Sequence, residues 1–154
     1  MGGGSEMRRS LAVLGGAGLT AAALAVLVAA RRSLLLVAVS GESMVPALLP
    51  GDRLLVRRGA LPLRSGVIVL LEPPHRGPAA PDQPLVVKRV AALPGDAVPE
   101  SVRVATRTGP GEVVPGGRLV VLGDGPVSAD SRAWGFSSLD SVRGVAVARL
   151  PLRR

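Results

Sequence analysis

Lys88 is the residue whose position most favours acid–base chemistry. It stands inside the apolar run 85–90, which is rich in strand-forming valines. Burial in such a run disfavours the charged ammonium and lowers the pKa of a lysine, which can then act as a general base near neutral pH. The alternative is a strand lysine that extends outward to water. Strand alternation places Lys88 and Arg89 on opposite faces, and the periodicity does not decide which of them faces inward.

Two serines and one charged pair stand at turns elsewhere in the sequence. Ser43 follows an apolar run and precedes a turn, where its hydroxyl can face a groove. Ser128 offers a hydroxyl that could orient a nearby lysine. Asp130 and Arg132 are close enough in sequence to form a charge-assisted pair that braces their loop. Taken one at a time, these features are typical of ordinary turns.

The composition excludes several other kinds of catalytic site. The sequence has no cysteine, which excludes disulfides, thiolate metal ligands and cysteine nucleophiles. His75 is the only histidine and lies in the proline-rich segment 73–84, where we expect an ordinary solvated loop residue. A histidine-based triad or a multi-histidine metal site is therefore not expected. We expect no cofactor and no metal, so any chemistry must use serine, lysine and carboxylate groups.

The net charge of +8 favours an anionic lipid surface over nucleic acid as a partner. The basic residues are scattered mostly singly or in pairs, and Trp134 and Phe136 are the only aromatic residues. Nucleic-acid binding would need aromatic side chains interleaved with the basic ones as stacking platforms. With so few rings, the core must be built from Val, Leu, Ala and Ile.

The sequence divides into an N-terminal segment, 1–33, and a second region, 34–154. Residues 11–30 carry no charge, and a helix of this length spans roughly 30 Å, the thickness of the hydrocarbon core of a bilayer. This pattern predicts a single uncleaved transmembrane helix. The alternative is a cleaved signal peptide that ends in the small residues 28–30, although its apolar region usually has only about 7–15 residues. Arginine pairs flank both ends, so charge does not decide the orientation.

Region 34–154 is predicted to be mainly β. Short apolar runs alternate with Pro-Gly and Gly-Asp turns, and no window shows a long helical period. The runs predicted as strands are 34–39, 53–56, 67–71, 85–90, 102–106, 118–122 and 145–150.

Three segments in this order resemble the type I signal peptidases, the Ser-Lys membrane peptidases that include the mitochondrial inner-membrane protease subunits. The family's nucleophile box, G/S-x-S-M-x-P-T-L-x-x-G-D, resembles residues 41–52. Its base box, V-K-R-V-x-x-L-P-G-D, resembles residues 87–96. Its third box, G-D-N followed by S-x-D-S-R-x-x-G, resembles residues 123–135. The resemblance covers nearly all of residues 34–150, and an N-terminal anchor before the nucleophile box belongs to the same pattern.

The resemblance implies a role for each of the polar residues named above. Ser43 would be the nucleophile, and Lys88, held uncharged in an apolar pocket, would be its general base. Ser128 would orient the lysine. Asp130 and Arg132 would brace the loop that carries Ser128.

The resemblance also implies a fold, a substrate and a location. Such enzymes have an antiparallel β domain after one transmembrane helix, and they cleave the signal or leader peptides of preproteins after small residues, typically Ala-x-Ala. Met44 and Pro46 would contact the substrate, and the backbone N–H of Ser43 would be one donor to the oxyanion. The implied location is the cytoplasmic (inner) membrane, single-pass, with the catalytic domain on the outer face. The resemblance implies no particular oligomeric state.

Two other functions stay open for a chain with these boxes. One is a maturation or leader protease that is dedicated to a single cargo. The other is a catalytically silent member that keeps the fold and binds peptides. The Ser-Lys autoprotease repressors are a further family, but they carry a DNA-binding domain where this chain has the predicted anchor.

Four positions depart from the family pattern. Gly41 stands where some members carry a second serine that completes the oxyanion hole, and Ala47 replaces the usual threonine. Gly125 replaces the usual asparagine of the third box. Gly66 lies in a short element between the first two boxes, and it is not followed by the aspartate that usually follows this glycine in the family. These departures concern loop geometry rather than the predicted nucleophile and base.

Overall fold

The structure, a computed structural model, describes residues 33–59, 62–74 and 85–151. The predicted transmembrane helix over 11–30 and the loop residue His75 lie outside these residues. Within the described ranges, no helix combines the length and the apolar character that crossing a bilayer requires. The membrane anchor therefore stays a prediction.

The described residues form one seven-stranded sheet. Its strands are β1 (Leu34–Ala38), β2 (Arg53–Arg58), β3 (Ile68–Leu71), β4 (Val86–Ala92), β5 (Arg118–Leu122), β6 (Ser137–Ser138) and β7 (Val142–Leu150). Their order across the sheet is β1-β2-β7-β3-β4-β5-β6, and the pairings from β2 to β6 are all antiparallel. The prediction of a mainly antiparallel β region is confirmed, and six of the seven predicted strands overlap an observed one.

The predicted strand over 102–106 is wrong. The helical elements are α1 (Arg103–Thr106), α2 (Ser131–Trp134) and two 3-10 turns, Glu100–Val102 and Leu139–Ser141. The Thr106 hydroxyl donates to the carbonyl oxygen of Val102 at 2.9 Å, a local bond that an extended strand cannot make. The short apolar run favoured a strand, yet Val102 is buried whereas Val104 is 94% exposed. Local hydrogen bonding within the turn therefore outweighed the apolar run.

Three clusters of side chains form the core on the sheet. The first attaches the loop between β1 and β2 and contains Val39, Met44, Leu48, Leu54, Val56 and Leu70. The second packs on the central strands and contains Val69, Leu71, Val90, Leu119, Val121 and Val145. The third attaches the segment between β4 and β5 and contains Ala92, Val98, Val102, Val114 and Val120. Trp134 and Phe136 are only partly buried, so the core is aliphatic apart from one methionine.

Candidate active site

Lys88 lies on β4 with its side chain on the buried face of the strand. It shares this face with Val90 and Ala92, and only 3% of Lys88 is exposed. Burial lowers the pKa of Lys88 below its ordinary value. The negative charge of Asp130 opposes this lowering, and the positive charge of Arg132 adds to it. Of the two orientations that the sequence left open for Lys88, the structure has the inward one.

Arg89 points away from that face and connects two loops. Its Nε and Nη2 atoms donate to the two carboxylate oxygens of Asp124 at 2.9 and 2.6 Å, and its Nη1 donates to the carbonyl oxygen of Gly66 at 2.7 Å. A bidentate pair of this kind fixes orientation as well as distance. The pair thus connects the third box to β4. The sequence analysis did not find this pair, because 35 residues separate its members.

Ser43 lies in the loop between β1 and β2, which we call the nucleophile loop (residues 39–52). The loop is closed at its ends, where Val39 N–H donates to the carbonyl oxygen of Asp52 at 2.8 Å. Three side chains of the loop, Val39, Met44 and Leu48, are buried in the first core cluster with 7%, 2% and 1% exposed. Ser43 itself is only partly buried. The core packing therefore fixes the backbone of the loop on both sides of Ser43.

Ser43 and Lys88 line the same two cavities. The larger cavity, about 620 Å³, is also lined by Glu42, Ser128 and Trp134. The smaller, about 180 Å³, lies between the apolar segments 37–39 and 85–87. Among the described residues, neither the Ser43 hydroxyl nor the Lys88 amine forms a side-chain hydrogen bond. Active-site hydrogen bonds often tighten only when substrate binds.

The Ser128 hydroxyl is buried beside this pair. It lines the larger cavity together with Ser43 and Lys88. Among the described residues, Ser128 Oγ is one of two buried polar side-chain atoms without a hydrogen-bond partner. The hydroxyl is close enough to the Asp130 carboxylate to help lower the pKa of Asp130, but the two groups do not form a hydrogen bond. An unpartnered hydroxyl at this depth is costly and remains available to a group that enters the cavity.

Asp130 and Arg132 form the ion pair that their spacing favoured. Arg132 Nη2 lies 2.6 Å from Asp130 Oδ2, and the Asp130 side chain is fully buried. The carboxylate also accepts the backbone N–H groups of Gly123 at 2.8 Å and of Arg132 at 3.0 Å. Burial alone would raise the pKa of Asp130, but these bonds, above all the one from Arg132, lower it to about 2. The carboxylate thus holds the start of the third box against the start of α2.

Gly123 and Gly125 let the third box lie directly against the nucleophile loop. The backbone N–H of Gly125 donates to the carbonyl oxygen of Ser43 at 2.9 Å. A Cβ atom at Gly125 would lie 2.5 Å from the carbonyl oxygen of Glu42, and one at Gly123 would overlap Ser128 Oγ and the Ser43 carbonyl oxygen. Gly125 stands where the family pattern has asparagine, and the close approach of the Glu42 backbone explains why a residue without a side chain is found there.

Met44 and Pro46, the predicted substrate contacts, are placed differently. Met44 is a core residue with 2% exposed, whereas Pro46 is exposed and follows a cis peptide bond. Neither residue lines the two cavities that contain Ser43 and Lys88. The structure gives Met44 a packing role, and substrate contact by either residue stays a prediction. No cluster of His, Cys, Asp or Glu that could hold a metal ion occurs among the described residues.

Comparison with known proteins assigns the family. The family model described as "Signal peptidase, peptidase S26" matches residues 12–104 and 99–151. The crystal structure of a signal peptidase I from Enterococcus faecalis V583 is 24% identical, with 58% of this chain and 100% of that chain covered and a TM-score of 0.38. No curated protein gives a significant match. The family model matches most of the length of this chain. The chain therefore belongs to the signal peptidase S26 family, a family of serine peptidases.

Proposed function

We propose that this chain is a membrane-anchored endopeptidase that cleaves signal or leader peptides after small residues, with Ser43 as nucleophile and Lys88 as general base. One observation carries the proposal. Lys88 is 3% exposed, has a lowered pKa and lines the same cavities as Ser43. Burial that lowers the pKa of a lysine favours the neutral amine, which a serine hydroxyl needs before it can attack a carbonyl carbon.

The proposed reaction proceeds through an acyl-enzyme. As Ser43 Oγ bonds to the carbonyl carbon of the scissile peptide, its proton passes to Lys88 Nζ, and the carbonyl oxygen becomes an oxyanion. The intermediate collapses when Lys88 returns that proton to the departing amine nitrogen and the C–N bond breaks. Lys88, neutral again, then takes a proton from water, which attacks the ester. Collapse of the second intermediate returns the proton to Ser43 Oγ and releases the carboxylic acid.

Other groups of the site are suited to support these steps. The unpartnered Ser128 hydroxyl can hydrogen-bond to Lys88 and orient it, while the Asp130–Arg132 pair holds the loop of Ser128. The backbone N–H of Ser43 donates no hydrogen bond among the described residues, which leaves it available to the oxyanion. Gly41 has no hydroxyl, so a second oxyanion donor has to come from another group.

The smaller cavity is suited to an apolar side chain of the proposed substrate. Its volume of about 180 Å³ lies between the end of β1 and the start of β4 and is lined mainly by aliphatic side chains. An extended peptide next to these segments could place an apolar side chain in that space. We propose that residues 11–30 anchor the chain in the cytoplasmic membrane and that residues 34–154 act on its outer face, because preprotein leaders present their cleavage sites there.

The test is direct cleavage of preproteins. The full-length chain in detergent is incubated with a panel of preproteins that carry Ala-x-Ala sites, and the products are identified by mass spectrometry. The proposal expects one cut after the second alanine and none with Ser43→Ala. Cleavage of a single cargo would indicate the dedicated maturation protease. Peptide binding without cleavage would contradict the proposal and indicate the silent member.

A further inference from the structure

Arg149, near the end of β7, holds the nucleophile loop from outside. Its Nη1 donates to the carbonyl oxygen of Ala47 at 2.7 Å, and its Nη2 lies 2.8 Å from Asp52 Oδ2. The side chain of Asp52 is 3% exposed and that of Arg149 is 39% exposed. A single guanidinium thus bonds to two points of the loop that carries Ser43.

The Asp52 carboxylate is itself part of the loop's internal structure. Its Oδ2 accepts the backbone N–H of Leu49 at 2.8 Å, while the Asp52 N–H donates to the Leu49 carbonyl oxygen at 3.0 Å. Burial of a carboxylate is offset by pairing, so loss of the Arg149 guanidinium removes part of what stabilises the buried Asp52 carboxylate. The ion pair with Arg149 therefore makes the closed form of this turn depend on β7.

An irregularity in the sheet places Arg149 on the correct face. Across β2 and β7, Val56 pairs with Ala146 but Leu55 pairs with Ala148, so the register shifts by one residue there. Beyond the shift, Arg149 is opposite Leu54, which belongs to the first core cluster together with the side chains of the nucleophile loop. Directly opposite residues share a face of the sheet, and a slip of one residue reverses that face.

We infer that Arg149 is a positioning residue for the nucleophile: it fixes the nucleophile loop so that Ser43 faces Lys88. The inference rests on the proposed function, and it assigns Arg149 no contact with substrate. Arginine suits this role because its planar fork presents several fixed donors, whereas lysine offers a single point charge. Displacement of the nucleophile should lower kcat more than it weakens substrate binding, because the Ser43 hydroxyl is then no longer at the distance and angle needed for attack on the carbonyl carbon.

The test compares Arg149→Gln and Arg149→Lys with a matched control, Arg143→Gln. Arg143 lies on the same strand and forms an ion pair with Glu72 at 2.7 Å. We expect Arg149→Gln to lower kcat on an Ala-x-Ala preprotein by about 10- to 100-fold with KM within about twofold. Arg149→Lys should recover part of kcat, Arg143→Gln should keep wild-type values, and the pH profile should not move in any of them.

Hydrogen exchange of the full-length chain gives a second readout that needs no activity. In Arg149→Gln the amides of residues 44–52 should exchange faster than in the wild type, while those of β4 stay protected. Unchanged exchange, unchanged kcat per folded molecule, or a rise in KM alone would each overturn the inference. A wild-type chain that cleaves no preprotein would contradict the proposed function, and the exchange result would still decide whether Arg149 holds the loop.

Discussion

The backbone N–H of Gly125 donates to the carbonyl oxygen of Ser43 at 2.9 Å, so the third box is bonded directly to the residue proposed as nucleophile. The two residues lie 82 positions apart in a chain of 154. Their contact brings the loop that carries Ser128 against the loop that carries Ser43, with Lys88 lining the same cavity as both. The position of the loop that carries Ser43 therefore depends on the position of the loop that carries Ser128.

Substitution of the proposed dyad should abolish cleavage without unfolding the chain. Ser43→Ala and Lys88→Ala should each remove activity, and the double variant should be no worse than either, because the two groups act as one proton-transfer unit. Lys88→Arg should be nearly as inactive, since a guanidinium stays protonated and cannot accept the serine proton. The measurement is kcat/KM on a preprotein, with circular dichroism to check folding. Wild-type turnover in Lys88→Arg would contradict the general-base assignment.

A methyl group at position 125 should separate the two loops. In Gly125→Ala the added Cβ would lie 2.5 Å from the Glu42 carbonyl oxygen, so the backbone there has to move. We expect kcat to fall by about 10- to 100-fold, as small misplacements of reacting groups do. Gly116→Ala is the control, because a Cβ atom at Gly116 meets nothing within 4 Å. If both variants kept the wild-type rate, the close approach of the loops would have no catalytic importance.

The rate should rise with pH along a single ionisation. Burial lowers the pKa of Lys88, so the midpoint should lie below the ~10.4 of an ordinary lysine. Only the neutral amine accepts the Ser43 proton, and therefore activity is lost as pH falls through this pKa. The measurement is kcat/KM against pH, and His75→Ala should give the same profile. A profile that moves in His75→Ala, or activity that a chelator removes, would contradict the Ser-Lys mechanism.

Asp130→Asn should destabilise the fold in a pH-dependent way. The folded pKa of about 2 lies below the ordinary ~3.9, so the carboxylate contributes stability that is complete above about pH 4 and is lost as pH falls toward 2. At pH 7 the free energy of unfolding should drop by about 2 kcal/mol, a figure limited by the partial exposure of Arg132. Denaturant titrations at several pH values measure this, and the gap between variant and wild type should narrow in acid.

The orientation of the chain can be tested by protease protection. We expect the N-terminus inside and the region after residue 34 outside, because the proposed substrates are cut on the outer side of the membrane. Protease added to spheroplasts that express the full-length chain should digest residues beyond about 40, counted from the sequence. Complete protection until the membrane is broken would indicate the opposite orientation.

Local sequence signals predicted most of the sheet. Turn pairs and valine-rich runs located six strands, and the ordered boxes located Ser43, Lys88 and Ser128, which the structure brings to one cavity. The strand predicted at 102–106 was wrong, since a short apolar run carries no information about the hydrogen bond from the Thr106 hydroxyl to the Val102 carbonyl oxygen. Whether Lys88 or Arg89 faces inward was undecidable for a related reason: strand alternation alone does not say which face is covered.

The remaining parts of the site depend on contacts that are distant in the sequence. Arg149 and Ala47 are 102 positions apart, and Arg89 and Asp124 are 35 apart. Nothing near either arginine indicates its partner, because the partner is set by strand register and by where each loop crosses the sheet. Gly125 was visible as a departure from the family pattern, but its steric reason is the backbone of another loop.

The sheet order has a consequence for synthesis. β7, the last in sequence of the strands among the described residues, lies between β2 and β3, and so it joins the half of the sheet that carries Ser43 to the half that carries Lys88. A nascent chain that has emerged only as far as residue 141 contains Ser43, Lys88 and Ser128, yet it lacks Arg149 and the strand that pairs with both β2 and β3. We therefore expect the proposed site to assemble only after β7 has paired with both β2 and β3.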